Sequence, residues 1–135
     1  MTFEWRHNLD LARHLAELED MRVDPEAYYR TSVSKAYYAC HKSIHHWMDM
    51  NTSYTYNRNL NPSVHKDIID NIPSYISNPQ AQKILRYLDK LRAARTRADY
   101  EYLPLAHNWD QAYARKVISD AEFILEQLDE SQPKT

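Results

Sequence analysis

The part of the sequence best suited to chemistry is a short arginine-rich stretch that ends in tyrosines. Its members with chemical potential include Arg92, Arg95, Arg97, Asp99, Tyr100 and Tyr102. Arginine presents a planar fork of N–H donors that matches phosphate oxygens, and tyrosine rings stack on unpaired bases. The stretch therefore suits single-stranded RNA, and the competing interpretation is a basic helix face that only contacts solvent.

Arg95 lies where the apolar side of a helix should continue. Ile84, Leu88 and Leu91 recur at helical spacing, and the next position on that face is Arg95. An unpaired buried guanidinium costs considerable free energy, but Asp99 lies one turn further on and can pair with it. The pair is either a purely structural ion pair, which is the commoner case, or part of a cleft that receives a phosphate.

Histidines form the second group with chemical potential. His41 and His45 are one turn apart on a predicted helix, a spacing that can bind zinc, but no third ligand follows at a suitable distance. We therefore predict no metal site. His65 and His107 would act as general acids or bases only if the fold brings them to the site.

Composition excludes several classes of protein. The 135 residues include no glycine, so glycine-rich phosphate loops and dinucleotide fingerprints are excluded and no cofactor is predicted. The formal net charge is only -2, so any contact with RNA requires a local basic patch. A lone cysteine, a charged amino terminus and the lack of a long apolar run predict a cytoplasmic protein without membrane contact.

Apolar periodicity predicts a single domain, residues 1–135, with five helices and a polar tail over residues 130–135. The first helix covers about residues 3–20, with Trp5 and Leu11 on its apolar side. The second begins at Asp24-Pro25, a capping aspartate followed by proline, and continues to about residue 50. Its apolar stripe consists of Val33, Ala36, Tyr37, Cys40, Ile44 and Trp47.

The remaining helices are separated by turn signals. A loop over residues 51–61 carries Tyr54, Tyr56 and Arg58 at its tip, and the third helix runs from Asn61-Pro62 to Pro73. The fourth begins at Asn78-Pro79, and Pro104 breaks the chain after it. Asn108 and Gln111 resemble a capping box for the fifth helix, whose inward residues are Ala114, Val117, Ala121, Ile124 and Leu128. Short connections favour an up-and-down antiparallel all-α bundle.

Two segments resemble the HEPN family of small, RNA-associated helical proteins. Residues 30–41 read Arg-Thr-Ser-Val-Ser-Lys-Ala-Tyr-Tyr-Ala-Cys-His, similar to the family's second-helix signature of serine, basic residue, alanine, two tyrosines and alanine. Residues 91–100 read Leu-Arg-Ala-Ala-Arg-Thr-Arg-Ala-Asp-Tyr, similar to the closing signature of the branch that ends in arginine, alanine, aspartate and tyrosine. The resemblance covers nearly the whole chain and implies a HEPN-like bundle that acts as a homodimer.

The resemblance also implies an activity. Many HEPN proteins are metal-independent endoribonucleases that depend on an arginine followed at short spacing by a histidine. Arg95 matches the arginine, whereas Tyr100 stands where the histidine is expected. A toxin branch has a tyrosine just after that histidine, which a partner nucleotidyltransferase adenylylates, and Tyr102 matches it. The resemblance thus implies Arg95, Asp99 and Tyr100 as catalytic residues, and RNA or phosphate contacts from Arg92, Arg97, Tyr102 and Tyr37.

Tyr100 leaves the function open, because a tyrosine with a pKa of about 10 is a poor base at neutral pH. One hypothesis is an endoribonuclease of toxin–antitoxin or defence type in which Arg95 binds the phosphate. The alternative is a non-catalytic HEPN module that binds RNA, a nucleotide or a nucleotidyltransferase antitoxin encoded nearby. In a third interpretation the bundle is purely structural and the Arg95–Asp99 pair only fixes packing.

Overall fold

A computed structural model describes residues 4–101 and 109–134. It contains five helices: α1 (His7–Glu17), α2 (Pro25–Asn51), α3 (Val64–Tyr75), α4 (Gln80–Tyr100) and α5 (Gln111–Asp129). Within these residues the only β-type pairing is an isolated bridge between Ile76 and Pro133. The predicted all-α fold is therefore confirmed.

No described helix has both the length and the apolar character that a membrane crossing requires.

Side-chain contacts show how α1 is oriented against α5. Arg6, just before α1, forms an ion pair with Asp129 at the end of α5. Arg115, near the start of α5, forms an ion pair with Glu17 at the end of α1 at 2.7 Å. The two helices therefore run antiparallel.

The same reasoning orients α2 against α4. Arg30 near the start of α2 reaches the Glu101 carbonyl just after α4, and Tyr38, two turns later, contacts Arg95 further back in α4. These helices are also antiparallel. Helix α2 contacts all four other helices, and α3 packs against α2 and α4. We call the contact face between the antiparallel helices α2 and α4 the α2–α4 wall, and the candidate site lies on it.

The core follows the predicted apolar faces closely. Burying these side chains contributes about 1.5–3 kcal/mol for each large aliphatic group, which is why the periodicity predicts the packing. The predicted inward residues that are buried are Val33, Ala36, Tyr37, Cys40, Ile44, Ile68, Ile72, Ile84, Leu88, Leu91, Ala114, Val117, Ala121, Ile124 and Leu128. Trp47, at the end of the α2 stripe, is only partly buried.

Two helix ends differ from the prediction. Asn108 lies outside the described residues, and α5 begins only after Asp110, whose carboxylate accepts from the Tyr113 backbone N–H at 2.8 Å. Pro73 does not end α3, because the Ile76 backbone N–H still donates to the Ile72 carbonyl at 2.9 Å. A proline this close to the end of a helix removes one backbone donor, and the last turn remains bonded.

Helix α1 is shorter than predicted, so Trp5 lies before its first residue, and neither Trp5 nor Leu11 is buried. Trp5 is 37% and Leu11 40% exposed, although both were expected on the inner side. The predicted loop is present, but Tyr54 does not lie at its tip: the side chain is buried and donates its hydroxyl hydrogen to Asp67 of α3. A tyrosine can enter the core in this way because its hydroxyl finds a partner there.

The tail is held against the rest of the bundle. The Lys134 backbone N–H donates to the Tyr75 carbonyl at 3.0 Å, and the Ser77 N–H donates to the Gln132 carbonyl at 2.9 Å. Ser131 is buried. These contacts attach the predicted polar tail, over residues 131–134, to the junction of α3 and α4.

Arg30 fastens the end of α4 to α2. Its Nη1 donates to the carbonyls of Arg97, Ala98 and Glu101 at 3.2, 3.3 and 2.6 Å. Its guanidinium lies 4.6 Å from the centre of the Trp109 ring. A cation at the carboxyl end of a helix also interacts favourably with the helix dipole. Arg30 thereby fixes the turn of α4 that carries the candidate site.

We expect Arg30→Ala to lower the free energy of unfolding by about 2 kcal/mol, because three carbonyls lose a charged donor. Urea unfolding followed by circular dichroism measures the change. The matched control is Arg22→Ala, which removes an arginine that is 88% exposed and bonded to Asp20 within its own loop. The control should unfold like the parent, and equal losses in both variants would contradict the role of Arg30.

Candidate phosphate-binding site

Arg95 lies between α4 and α2, and its side chain is only 15% exposed. Its Nη2 donates to the Tyr38 hydroxyl at 2.8 Å. Its Nε lies 3.0 Å from Oδ2 of Asp99, but the N–H direction makes this an ion pair and not an aligned hydrogen bond. Asp99 also accepts from the Ser34 hydroxyl at 3.4 Å. The pair expected from the sequence is therefore present, and α2 supplies two further polar groups.

Three tyrosine rings surround the guanidinium. The Arg95 Cζ lies 5.7 Å from the Tyr37 ring centre, 5.3 Å from that of Tyr38 and 5.7 Å from that of Tyr100. Ring faces attract a cation, and the attraction grows as water is removed. Burial alone would lower the Arg95 pKa, but the Tyr38 hydrogen bond and the neighbouring Asp99 outweigh it and raise the pKa. Arg95 is a fixed positive charge at every physiological pH.

The fold places His65 beside this cation. His65 is the second residue of α3, which begins at Val64 after Ser63 caps the helix by accepting from the Lys66 N–H. Its Nδ1 lies 2.8 Å from the Tyr37 hydroxyl, and its ring centre is 6.1 Å from that of Tyr38. Both of these tyrosines also contact Arg95. An imidazole and a guanidinium thus share the same two aromatic neighbours.

The surroundings keep His65 neutral. Burial is the largest cause that lowers its pKa, and the positive charges of Arg95, Lys42 and Arg92 lower it further. Burial likewise raises the pKa of Tyr37 to about 12, so its hydroxyl stays protonated. A neutral imidazole that bonds through Nδ1 leaves Nε2 as the nitrogen available to a ligand.

His41 lies beneath His65 and is fully buried. Its ring centre is 4.3 Å from that of His65, and its ring stacks on Tyr37 at 5.7 Å. Neither ring nitrogen makes a well-aligned hydrogen bond within the part of the chain that the structure describes. Burial, followed by the charges of His65 and Lys42, lowers its pKa to about 3. His41 is therefore a neutral ring that supports His65.

The zinc pair considered from the sequence does not form. His45 lies 3.6 Å from the Asp49 carboxylate and packs against the rings of Tyr54 and Tyr56, whereas His41 packs against His65. Among residues 4–101 and 109–134, no three histidine, cysteine, aspartate or glutamate side chains are grouped to bind a metal ion.

Arg92 and Arg97, the other predicted arginines, have different neighbours. Arg92 is close enough to lower the pKa values of both Tyr37 and His65, so it belongs to the electropositive surroundings of the site. Arg97 instead bonds to the Tyr113 hydroxyl of α5. The two arginines meet at a shallow solvent-facing depression of about 460 Å³. The structure therefore does not bring Arg97 to Arg95.

The predicted tyrosines also differ in accessibility. Tyr100 is 69% exposed beside Arg95, so a ligand can reach its ring. Tyr37 is fully buried, and the direct RNA contact predicted for it is not available. Tyr102 and His107 lie outside the described residues.

His65 is the residue that reasoning from the sequence did not assign to the site. The signal for it was weak but present. Val64, Ile68 and Ile72 define the inner face of α3, and His65 is adjacent to that face, in its first turn. Nothing in the sequence showed that this turn packs against Tyr37.

Comparison of the chain with protein-family models, curated proteins and solved structures found no significant match. The HEPN resemblance accordingly rests on the two sequence segments quoted above.

The buried His41 predicts acid-sensitive stability. Its folded-state pKa of about 3 lies below its ordinary value of 6.5, so falling pH adds a proton to the unfolded chain first. The contribution of His41 to the free energy of unfolding is fully present well above pH 6.5, and it declines as the pH falls from there toward 3. Between pH 7 and pH 5 we expect a loss of about 2 kcal/mol from this residue.

Unfolding free energies at the two pH values, measured for the parent and for His41→Phe, test this expectation. Phenylalanine keeps an aromatic ring against His65 but cannot take up a proton, so the difference between pH 7 and pH 5 should shrink by about that amount. The exposed His46, changed to Gln, serves as the control and should retain the parent's pH dependence. An unchanged pH dependence in His41→Phe would contradict the assignment.

Proposed function

We propose that this chain is a HEPN-like, RNA-directed protein that binds a phosphodiester at Arg95 and cleaves it without a metal ion. RNA as the ligand comes from the resemblance to HEPN proteins. The observation that supports cleavage is the position of His65, because it supplies a proton-transfer group beside the fixed positive charge of Arg95. The adjacent residues Tyr37 and Tyr38 connect the two groups, because the Tyr37 hydroxyl lies 2.8 Å from His65 Nδ1 and the Tyr38 hydroxyl lies 2.8 Å from Arg95 Nη2.

The proposed reaction uses the ribose 2′-hydroxyl as nucleophile. His65 accepts the proton of that hydroxyl at Nε2 while its Nδ1–H donates to Tyr37. The 2′-oxygen then bonds to phosphorus, and the bond to the 5′-oxygen of the next nucleotide breaks. Arg95 stabilises the negative charge that develops on the phosphorane. The imidazolium formed from His65 returns its proton to the departing 5′-oxygen, so the histidine ends as it began.

The neighbours have distinct supporting roles in this proposal. Tyr38 orients the Arg95 guanidinium through its hydrogen bond, Asp99 pairs with it as a counter-charge, and Tyr37 orients the His65 ring. The exposed ring of Tyr100 offers a surface on which an unpaired base can stack. Tyr100 thus occupies the histidine position of the family motif without having to act as its base.

A non-catalytic HEPN module is the second candidate, and one observation favours it. Asp99 and Tyr38 already occupy the Nε and Nη2 groups of Arg95, an arrangement that suits reversible binding of a phosphate. The ligand would then be RNA, a nucleotide or a nucleotidyltransferase antitoxin. Adenylylation of Tyr102 by such a partner belongs to this candidate. A homodimer is part of the catalytic candidate, in which two protomers form one cleft.

Incubation of the purified protein with mixed RNA in EDTA tests the proposal. The parent should cleave, and Arg95→Ala should reduce the rate roughly a hundredfold or more because the phosphorane loses its counter-charge. His65→Gln should reduce the rate by a similar factor because it cannot transfer a proton. Products should end in a 2′,3′-cyclic phosphate.

Lys90→Ala is the control, since it removes one exposed positive charge from the same helix. It should cleave at close to the parent rate. If His65→Gln cleaves as fast as the parent, the proton-transfer role is wrong. If RNA binds to the parent but stays intact, the non-catalytic module is correct.

A further inference from the structure

One edge of the Arg95 guanidinium is occupied by two protein groups. Nε lies 3.0 Å from Oδ2 of Asp99, and Nη2 donates to the Tyr38 hydroxyl at 2.8 Å. Nε and Nη2 together form one of the edges through which arginine binds a phosphate with two parallel hydrogen bonds. A phosphate that approaches this edge therefore meets a carboxylate oxygen already in place.

The two occupants differ in how easily a ligand can displace them. Tyr38 is half-buried and its ring also covers the guanidinium. The Asp99 side chain is 29% exposed near the end of α4, and its hydrogen bond from Ser34 is long at 3.4 Å. Its contact with Nε is an ion pair without an aligned hydrogen bond, and its carboxylate keeps access to water, so it is held less firmly than Tyr38. Asp99 is therefore the group that a stronger anion would replace.

We propose that Asp99 is a built-in competitor, which occupies Arg95 when no ligand is bound and thereby sets the affinity of the site for phosphate groups. The inference rests on the function proposed above, because it requires Arg95 to bind phosphate. When a phosphodiester arrives, the Asp99 carboxylate leaves Nε for solvent, and Tyr38 keeps its hydrogen bond to Nη2. The displaced carboxylate stays within one helical turn of the phosphate and repels it.

A purely orienting role for Asp99 predicts the opposite change in the affinity for phosphate when Asp99 is removed. If the carboxylate only held the guanidinium in position, its removal would let the side chain move and phosphate binding would weaken. If it competes, removal of its charge makes binding tighter. The sign of the change in affinity therefore separates the two roles.

The experiment measures binding of a fluorescein-labelled, fully 2′-O-methylated RNA oligonucleotide by fluorescence anisotropy at one fixed low salt concentration. This RNA lacks the nucleophilic hydroxyl, so it cannot be cleaved while it binds. We expect Asp99→Asn to bind on the order of tenfold more tightly than the parent, since a negative charge beside the phosphate is removed. Asp99→Ser is measured alongside, in case the amide replaces the lost ion pair with a new hydrogen bond.

The matched control is Asp129→Asn, which removes the same charge from the Arg6–Asp129 pair on the α1–α5 side of the bundle. It should change the affinity little. In the Arg95→Ala background, Asp99→Asn should tighten binding by clearly less than it does in the parent, because only direct charge repulsion remains once the guanidinium is absent.

Three outcomes would overturn the inference. If the parent binds RNA and both folded Asp99 variants bind it equally well or more weakly, Asp99 is not a competitor. The proposed function is unaffected by that result. An equal gain in Asp129→Asn shows a general effect of net charge. If neither the parent nor any variant binds RNA, both the proposed function and the role of Asp99 as a competitor are wrong.

Discussion

The structure around the site depends on one constraint, which is that a guanidinium placed on the inner side of α4 must be neutralised and covered. Arg95 meets this requirement through Asp99 on its own helix and through Tyr38 on α2. Taking an arginine out of water without such partners would cost far more than a typical surface substitution. The pair and the tyrosine therefore set how closely α2 and α4 approach along this face, and Arg30 fixes the last turn of α4 to α2.

The same charge organises the third helix. Tyr37 lies under the Arg95 guanidinium and contacts His65 through its hydroxyl, so the start of α3 is attached to the α2–α4 wall at this point. The positive side chains and the burial both disfavour protonated imidazole, which keeps His65 and His41 neutral. Two neutral histidines therefore lie stacked beside an arginine, and the ring nitrogens of His41 make no well-aligned hydrogen bond among the described residues. Such arrangements are more often found at functional sites than in ordinary cores.

Much of the fold could be predicted from the sequence because it follows local rules. The period of apolar residues identified the faces of α2, α4 and α5, and Asp24 before Pro25 identified the start of α2. The Arg95–Asp99 pair was also predictable, because its members are one turn apart on the same helix.

What could not be predicted depends on contacts between distant segments. Tyr54 enters the core because Asp67 accepts its hydrogen bond, and residues 131–134 are held because their backbone pairs with the junction of α3 and α4. His65 reaches Arg95 only through the packing of α3 on α2. Periodicity reports which face of a helix is apolar, but it does not report which helices meet. Tyr37 shows the same limit, since an aromatic residue in a basic, tyrosine-rich motif proved to be a buried support and not a ligand contact.

The central claim is that Arg95 and His65 belong to one phosphate-binding site, and the most direct test observes the histidine rings themselves. Nitrogen-15 NMR of the imidazole groups, recorded while the 2′-O-methylated RNA is added to the parent and to Arg95→Ala, reports on each ring separately. The account predicts that the His65 nitrogens shift in the parent, that those of the buried His41 shift far less, and that Arg95→Ala abolishes the His65 change. An unchanged His65 signal in a parent that binds the RNA would contradict the account and place the binding surface elsewhere on the bundle.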